Sequence, residues 1–183
     1  MSQTGSPLND PYYQTLQDML ATNQDEPQLF QTIVNAPFHD KLRAIQLDLG
    51  IVVLLLANKQ SKTIDRIALS DTFSAQGAVR MSAKPFKDIK IPLGHKTNII
   101  AQAIATAELQ QTDNWYYLFV PALTREEAHF NQAGAGIECS LVQPLKGAKT
   151  GAMIFSFYQP LPKIGNEHRE FVDYYSKLVA TKL

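Results

Sequence analysis

The chain is poor in sulfur. Among its 183 residues there is one cysteine, Cys139. No disulfide can close within the chain, and no cysteine-based metal cluster can form. Excess charge is also lacking, since 17 Lys and Arg balance 17 Asp and Glu. A neutral balance removes the basic surface that a general nucleic-acid binder needs to displace counterions, so no nucleic-acid partner is expected. The nearest approach to a basic patch is Lys84, Lys87, Lys90 and Lys96, which reads as an ordinary solvated edge and loop. Long apolar runs are absent. The longest, Ile51–Ala57, is far too short to span a bilayer. The opening Met-Ser-Gln-Thr-Gly-Ser-Pro has neither a basic region nor an apolar core, so it does not read as a signal peptide. These absences predict a cytoplasmic, soluble chain with no membrane partner. No Ser-His-Asp order, phosphate loop, catalytic Glu pair or dinucleotide fingerprint is visible. His39, His95, His129 and His168 show no His-x-x-x-His spacing, and no metal is expected.

What is present is a core. Apolar residues make up 45% of the chain and charged residues 19%, which suits a globular domain. Residues 1 to about 10 are small and polar and are expected to be disordered. Asp10-Pro11 then pairs an N-cap with proline at the first helical position, predicting a helix to about Ala21 with Tyr12, Tyr13, Leu16, Met19 and Leu20 along one stripe. This helix and its leader, 1–26, are set apart from a domain over 27–183. Asp25-Glu26-Pro27 starts a second helix with Leu29, Phe30, Ile33 and Val34, interrupted by Pro37. A third segment spans Phe38–Leu47. Ile51–Ala57 is a buried strand, and Thr63–Leu69 alternates, with Ile64, Arg66 and Ala68 on one face. Ser70–Gly77 reads as a loop, with short extended pieces at Ala78–Ser82 and Phe86–Ile91.

Thr97 or Asn98 caps a helix carrying Ile99, Ile100, Ala103, Ile104 and Ala107. Gln110–Asp113 is extended. Trp115–Val120 is aromatic and sits in a loop or short strand. Thr124 with Glu127 three residues on forms a capping box for a helix to Asn131. Ile137–Leu145 and Gly151–Tyr158, joined by Lys146–Lys149, read as a strand–turn–strand at the centre of a covered sheet. A final amphipathic helix fills Gly165–Leu183, with Phe171, Tyr174, Tyr175, Leu178 and Val179 on one side.

Several short patterns then line up. They are Leu49-Gly50 before the first strand, Ile91-Pro-Leu-Gly94 before the internal helix, and Gly136-Ile137, Ser140-Leu141, Pro144-Leu145, Gly147 and Gly151 in the hairpin. Their order and spacing resemble a GAF domain, a relative of PAS domains, over roughly Pro27–Leu183. The resemblance implies an α+β fold: an antiparallel sheet of five or six strands, flanking helices with the N- and C-terminal pair on one face, and a pocket on the other. It implies a non-catalytic sensor or regulatory domain that binds a small molecule and signals through its terminal helices. The apolar stripes of those helices, Tyr12, Leu16 and Met19 with Phe171–Val179, predict a homodimer. An alternative is a ligand-free dimerisation or protein-interaction module. A third is a thiol-dependent enzyme acting through Cys139.

Departures narrow the ligand. Lys96, Thr97 and Asn98 stand where GAF domains often carry further glycines, which crowds a backbone cradle for phosphate. The Asn-Lys-x-Phe-Asp-Glu motif of cyclic-nucleotide-binding members is absent. Bilin-binding members carry a Cys-His pair, whereas Cys139 is followed by Ser140 in a strand, so no covalent bilin is expected. Free methionine sulfoxide reductases of this fold use several cysteines, and one cannot complete an internal thiol–disulfide cycle.

The ligand-binding set expected from the resemblance is Trp115, Tyr117, His95, Asn98, His129, Phe130, Glu138 and Ser140. Aromatic residues before the hairpin serve either as core or as a pocket wall. His95 and His129 fall in segments that surround the pocket in GAF domains, while His39 and His168 sit on surface helices. Glu138 either lies where the sheet is wet or holds a ligand group, with Ser140 beside it on the face opposite Cys139. Cys139 is read as a small buried hydrophobe or as a reactive thiol.

Overall fold

A computed structural model describes residues 10–22 and 24–183. The expected disorder of the first residues therefore lies outside the described residues. Helices α1 (Pro11–Ala21) and α2 (Glu26–Asn35) open the chain, each started by an aspartate that accepts from its first turn: Asp10 from the Tyr12 N–H, Asp25 from the Gln28 N–H. A 3-10 turn over Ala36–Phe38 and the short α3 (Lys41–Gln46) replace the single third helix expected. The break falls at Asp40, whose backbone is extended (φ −101°, ψ 103°) and whose side chain caps α3.

Then come β1 (Leu49–Asn58), β2 (Thr63–Leu69), α4 (Phe73–Arg80), a 3-10 turn at Phe86–Asp88 and β3 (Ile91–Pro92). The chain continues as α5 (Ile99–Thr106), β4 (Gln110–Thr112), α6 (Tyr116–Phe119), α7 (Arg125–Ala135), β5 (Cys139–Lys146), β6 (Thr150–Phe157) and α8 (Asn166–Ala180). Among the described residues the sheet has six strands in the order β3-β2-β1-β6-β5-β4. Each adjacent pair of strands runs antiparallel. The architecture is α+β, as expected, with β1 and β6 at its centre.

The sheet separates two cores. On one face α1, α2 and α8 pack Tyr12, Leu16, Ile33, Val34, Phe171 and Tyr175 against Val52, Leu54, Met153 and Phe155. Tyr175 donates its hydroxyl to the Ile33 carbonyl at 2.6 Å, and the Phe171 and Tyr175 rings stack. On the other face α4, α5, α6 and α7 cover Ile51, Val53, Leu55, Val142 and Ile154. The alternation of β1 and β6 sends neighbouring side chains to opposite cores.

The structure departs from several expectations. The stripe of α1 lies within the core that 27–183 builds, not outside it, and Tyr12, Leu16, Phe171 and Tyr175 are buried by their own chain. The terminal helices do lie side by side, with the Tyr13 and Tyr174 rings 4.5 Å apart, but the sheet takes the stripes that were to join a second copy. The segment read as a loop and extended pieces holds α4, a helix capped by Thr72. Its buried face carries only Ser74, Ala75 and Gly77, so no apolar period announces it. Within Trp115–Val120, read as a loop or short strand, Tyr116–Phe119 forms a short helix.

No helix among the described residues is long and apolar enough to cross a membrane.

Candidate functional site

The face opposite the terminal helices holds a cavity with about 50 Å³ of space for the centres of water molecules. The sheet supplies its floor through Ile51, Val53, Ile154 and Ser156. Its roof is Ala78 and Val79 of α4, Trp115 beside α6, Leu118 and Phe119 of α6, and Asn131 of α7. Arg66, Leu69 and Phe86 complete the wall. Arg66, Leu69, Val79 and Phe86 also border grooves on the outer surface, so the mouth lies between α4 and the Phe86 turn. The lining is apolar apart from Arg66, Ser82, Asn131 and Ser156.

A short polar chain underlies the floor. The indole Nε1 of Trp115 donates to Ser140 Oγ at 3.0 Å, and Ser140 and Ser156 hydroxyls lie 2.8 Å apart on directly opposed positions of β5 and β6. Both serines are buried, so each needs the other or the indole to satisfy its hydroxyl. This chain fixes Trp115 as the end wall.

Arg66 reaches the cavity because of a bulge. Leu54 pairs with Ala68 and Leu55 with Arg66, which leaves Ile67 as the extra residue on β2. The bulge reverses the faces, so Ile64 and Arg66 point to the cavity side while Ala68 joins the helix-side core. The single shared face read for Ile64, Arg66 and Ala68 is therefore broken at Ile67. Arg66 is 5% exposed and donates to the Leu118 carbonyl at 3.3 Å. Its guanidinium lies 4.6 Å from the Phe119 ring centre, and its Nε has no partner. Burial lowers its pKa to about 10, which leaves it charged at neutral pH.

The expected ligand set divides. Trp115 lines the cavity and Ser140 supports it from below. Asn98 is fully buried, but its amide is spent: it caps α5 by accepting from the Ile100 and Ala101 N–H groups and donates to the Val120 carbonyl at 2.8 Å. His95 accepts from the Asn98 N–H and sits in the turn before α5, away from the cavity. Tyr117 packs edge-on to Tyr116 outside it. His129 is exposed, and Phe130 is 47% exposed, because both lie on the outer side of α7.

Glu138 is exposed as well. It precedes the first residue of β5, so the alternation that paired it with Ser140 does not extend to it, nor does Ile137 share the face of Cys139 and Leu141. His129 and Glu138 instead line an open polar groove with Arg125 and Gln132. The surface placement expected of His39 and His168 holds for the first alone. His168 is half-buried, edge-on to Phe157.

Cys139 lies on the other face, in the core under α1, α2 and α8. Its thiol donates to the Gln159 carbonyl at 3.1 Å, and burial pushes its pKa up to about 11. Among the described residues no three His, Cys, Asp or Glu side chains gather as a metal site.

Arg66, Ser82, Asn131 and Ser156 line the cavity but are not in the expected set. For Arg66 the signal was visible: a charge on the apolar side of an alternating strand. Ser82 and Asn131 needed α4 to be recognised first.

No family model matches the chain, and no curated protein matches it in sequence. Solved structures do match in shape. The GAF domain of an Acinetobacter phosphoenolpyruvate-protein phosphotransferase is 10% identical with a TM-score of 0.63, over 98% of this chain and 92% of that one. The free methionine-R-sulfoxide reductase of Neisseria meningitidis, in complex with its substrate, is 11% identical with a TM-score of 0.60, over 100% and 93%. Residues 122 to 287 of a methyl-accepting chemotaxis protein are 9% identical with a TM-score of 0.59, over 94% and 96%. The protein thus has the GAF fold, as the sequence resemblance implied. That fold carries regulatory domains and an enzyme alike, so the fold alone assigns neither role.

Proposed function

We propose that the protein is a sensor or regulatory domain that binds a small molecule in the cavity beneath α4, α6 and α7. The observation that carries this reading is the cavity itself: an apolar space at a sheet face, with a few convergent polar groups and a mouth to solvent. Its volume is below the ~300–1,000 Å³ of sites for drug-sized ligands. The ligand is therefore small, or α4 and the Phe86 turn move apart to admit it. The aromatic segment contributes through Trp115 and Phe119, and the outer groove at His129 and Glu138 is not part of the site. Binding would reach α1 and α8 through β1 and β6, whose alternate side chains belong to both cores. A signal results only if the ligand favours one arrangement of those helices.

The small volume also favours a second reading, in which the space stays filled and the domain acts only through a protein partner. The thiol-dependent reading has the least support, because Cys139 is buried, protonated and separated from the cavity by the sheet. A dimer through the terminal helices is not proposed, since their stripes are already covered.

Native mass spectrometry of freshly purified protein tests the binding reading. A retained small-molecule mass is expected in the wild type and not in Ala78→Phe, which fills the space. A mass kept by both proteins places the ligand elsewhere. Trp115→Ala should weaken retention, whereas His129→Ala should leave it unchanged.

A further inference from the structure

Arg66 is the one charged side chain among the buried residues described. A guanidinium carries five N–H donors and no acceptor. Here one bond goes to the Leu118 carbonyl, and the buried Nε has none. The ring faces of Phe119 and Phe86, 4.6 and 5.8 Å from Cζ, offer the cation their π density. One guanidinium nitrogen is used on Leu118 and Nε is unpartnered, so the group keeps donors that the protein does not use. No carboxylate among the described residues pairs with it. Its strand neighbour Asp65 is engaged by Thr63, Asn58 and Lys90 instead. A buried charge without an anion is costly, and proteins pair such charges almost without exception. This one borders both the apolar cavity and the outer groove that carries Asp65, Lys87 and Lys90.

The missing counter-charge has a definite chemistry. Resting on the cavity reading above, we infer that the cavity takes a small monocarboxylate with an apolar body, its carboxylate on the N–H edge of Arg66 and its body against Val53, Phe119 and Ile154. The planar fork of arginine matches a carboxylate with two parallel hydrogen bonds. One positive charge neutralises one negative charge. A phosphate would bring about two charges and three acceptor oxygens to a site with a single cation, leaving charge unpaired in an apolar space. The Ser156 hydroxyl on the floor is a further polar contact. The space holds roughly three to five water-sized groups, which limits the body to a few carbons unless Phe119 or Phe86 turns aside.

Trp115, the only tryptophan in the chain, lines the cavity and reports on it. Its emission is to be followed while wild-type protein is titrated with butyrate, with butyramide of the same shape but no charge, and with inorganic phosphate. Butyrate should change the emission saturably and bind about tenfold or more tightly than butyramide, with phosphate inert. Arg66→Gln should lose about tenfold to hundredfold in butyrate affinity, the size of a charged hydrogen bond, and with it the preference over butyramide. Arg66→Lys, which keeps the charge without the fork, should fall between.

Equal binding of butyrate and butyramide by the wild type overturns the carboxylate assignment and leaves the cavity reading standing. Tighter binding of phosphate overturns it too. If neither organic probe binds, the assignment falls, and the cavity reading is then judged by the retained mass alone. The wild-type comparison decides the matter even if Arg66→Gln does not fold.

Discussion

Arg66 and Cys139 are a charge and a thiol buried on opposite sides of one sheet, and their surroundings give them opposite prospects. The arginine faces a space that opens to solvent, with donors to spare. The cysteine faces packed helices, its proton held by burial and its thiol bonded to the Gln159 carbonyl. Only thiolate attacks an alkylating agent, so a pKa raised to about 11 from the ordinary 9.0 delays reaction. Iodoacetamide at pH 8 should label Cys139 slowly in the native protein and promptly in denaturant, read by mass spectrometry. The native rate should keep climbing past pH 9 toward 11. Rapid native labelling at pH 8 would restore the thiol as a candidate nucleophile. Asn98 makes the complementary point. Expected to meet a ligand, it is consumed by the backbone, and Asn98→Ala should cost about 1–3 kcal/mol in urea melts from the lost cap and the orphaned Val120 carbonyl.

Among the elements, α4 decides whether there is a site at all, and it is the element the sequence concealed. It packs on α7 at Gly77 and Gly134, where a Cβ on Gly77 would lie 2.1 Å from the Gly134 carbonyl oxygen. Only glycine allows that approach, and the approach sets α4 low over the sheet as the cavity roof. Gly77→Ala should therefore destabilise the protein by about 1–3 kcal/mol despite alanine's better helix propensity, and should shift Trp115 emission as the roof lifts. Unchanged stability would show that α4 is not held against α7. Helices that pack through apolar rows, such as α5 and α8, were legible because their periods are. So were the strands of the hairpin, from β-branched and aromatic residues between turn glycines. α4 was not, because small residues packing backbone to backbone carry no hydropathy signal. The bulge at Ile67 was hidden for a similar reason, since it arises from pairing with β1 and not from anything in β2 alone.

At the scale of the whole molecule, the sheet divides labour between two cores. The terminal-helix core is built to be filled: Phe155, Phe171 and Tyr175 pack ring against ring with no exposure. Phe171→Ala should cost about 3–5 kcal/mol, measured by denaturant unfolding, while leaving the cavity residues in place. The cavity-side core leaves its space instead. The sequence identified this arrangement of sheet, terminal helices and opposite pocket through its order of short motifs. Chain position alone does not show that His129, Phe130 and Glu138 lie outside the cavity, since their side chains turn outward only once α7 and the start of β5 are built.

Residue, element and molecule meet in one requirement: the space beneath α4 must be open to a small molecule. Crystals pressurised under xenon test it without any assumption about the natural ligand, since xenon enters apolar cavities and is located by its scattering. A xenon atom is expected among Val53, Leu118, Phe119 and Ile154 in the wild type, and none there in Ala78→Phe. A wild-type cavity that stays empty under pressure, with α4 closed over it, would contradict an open site and favour a filled, ligand-free module.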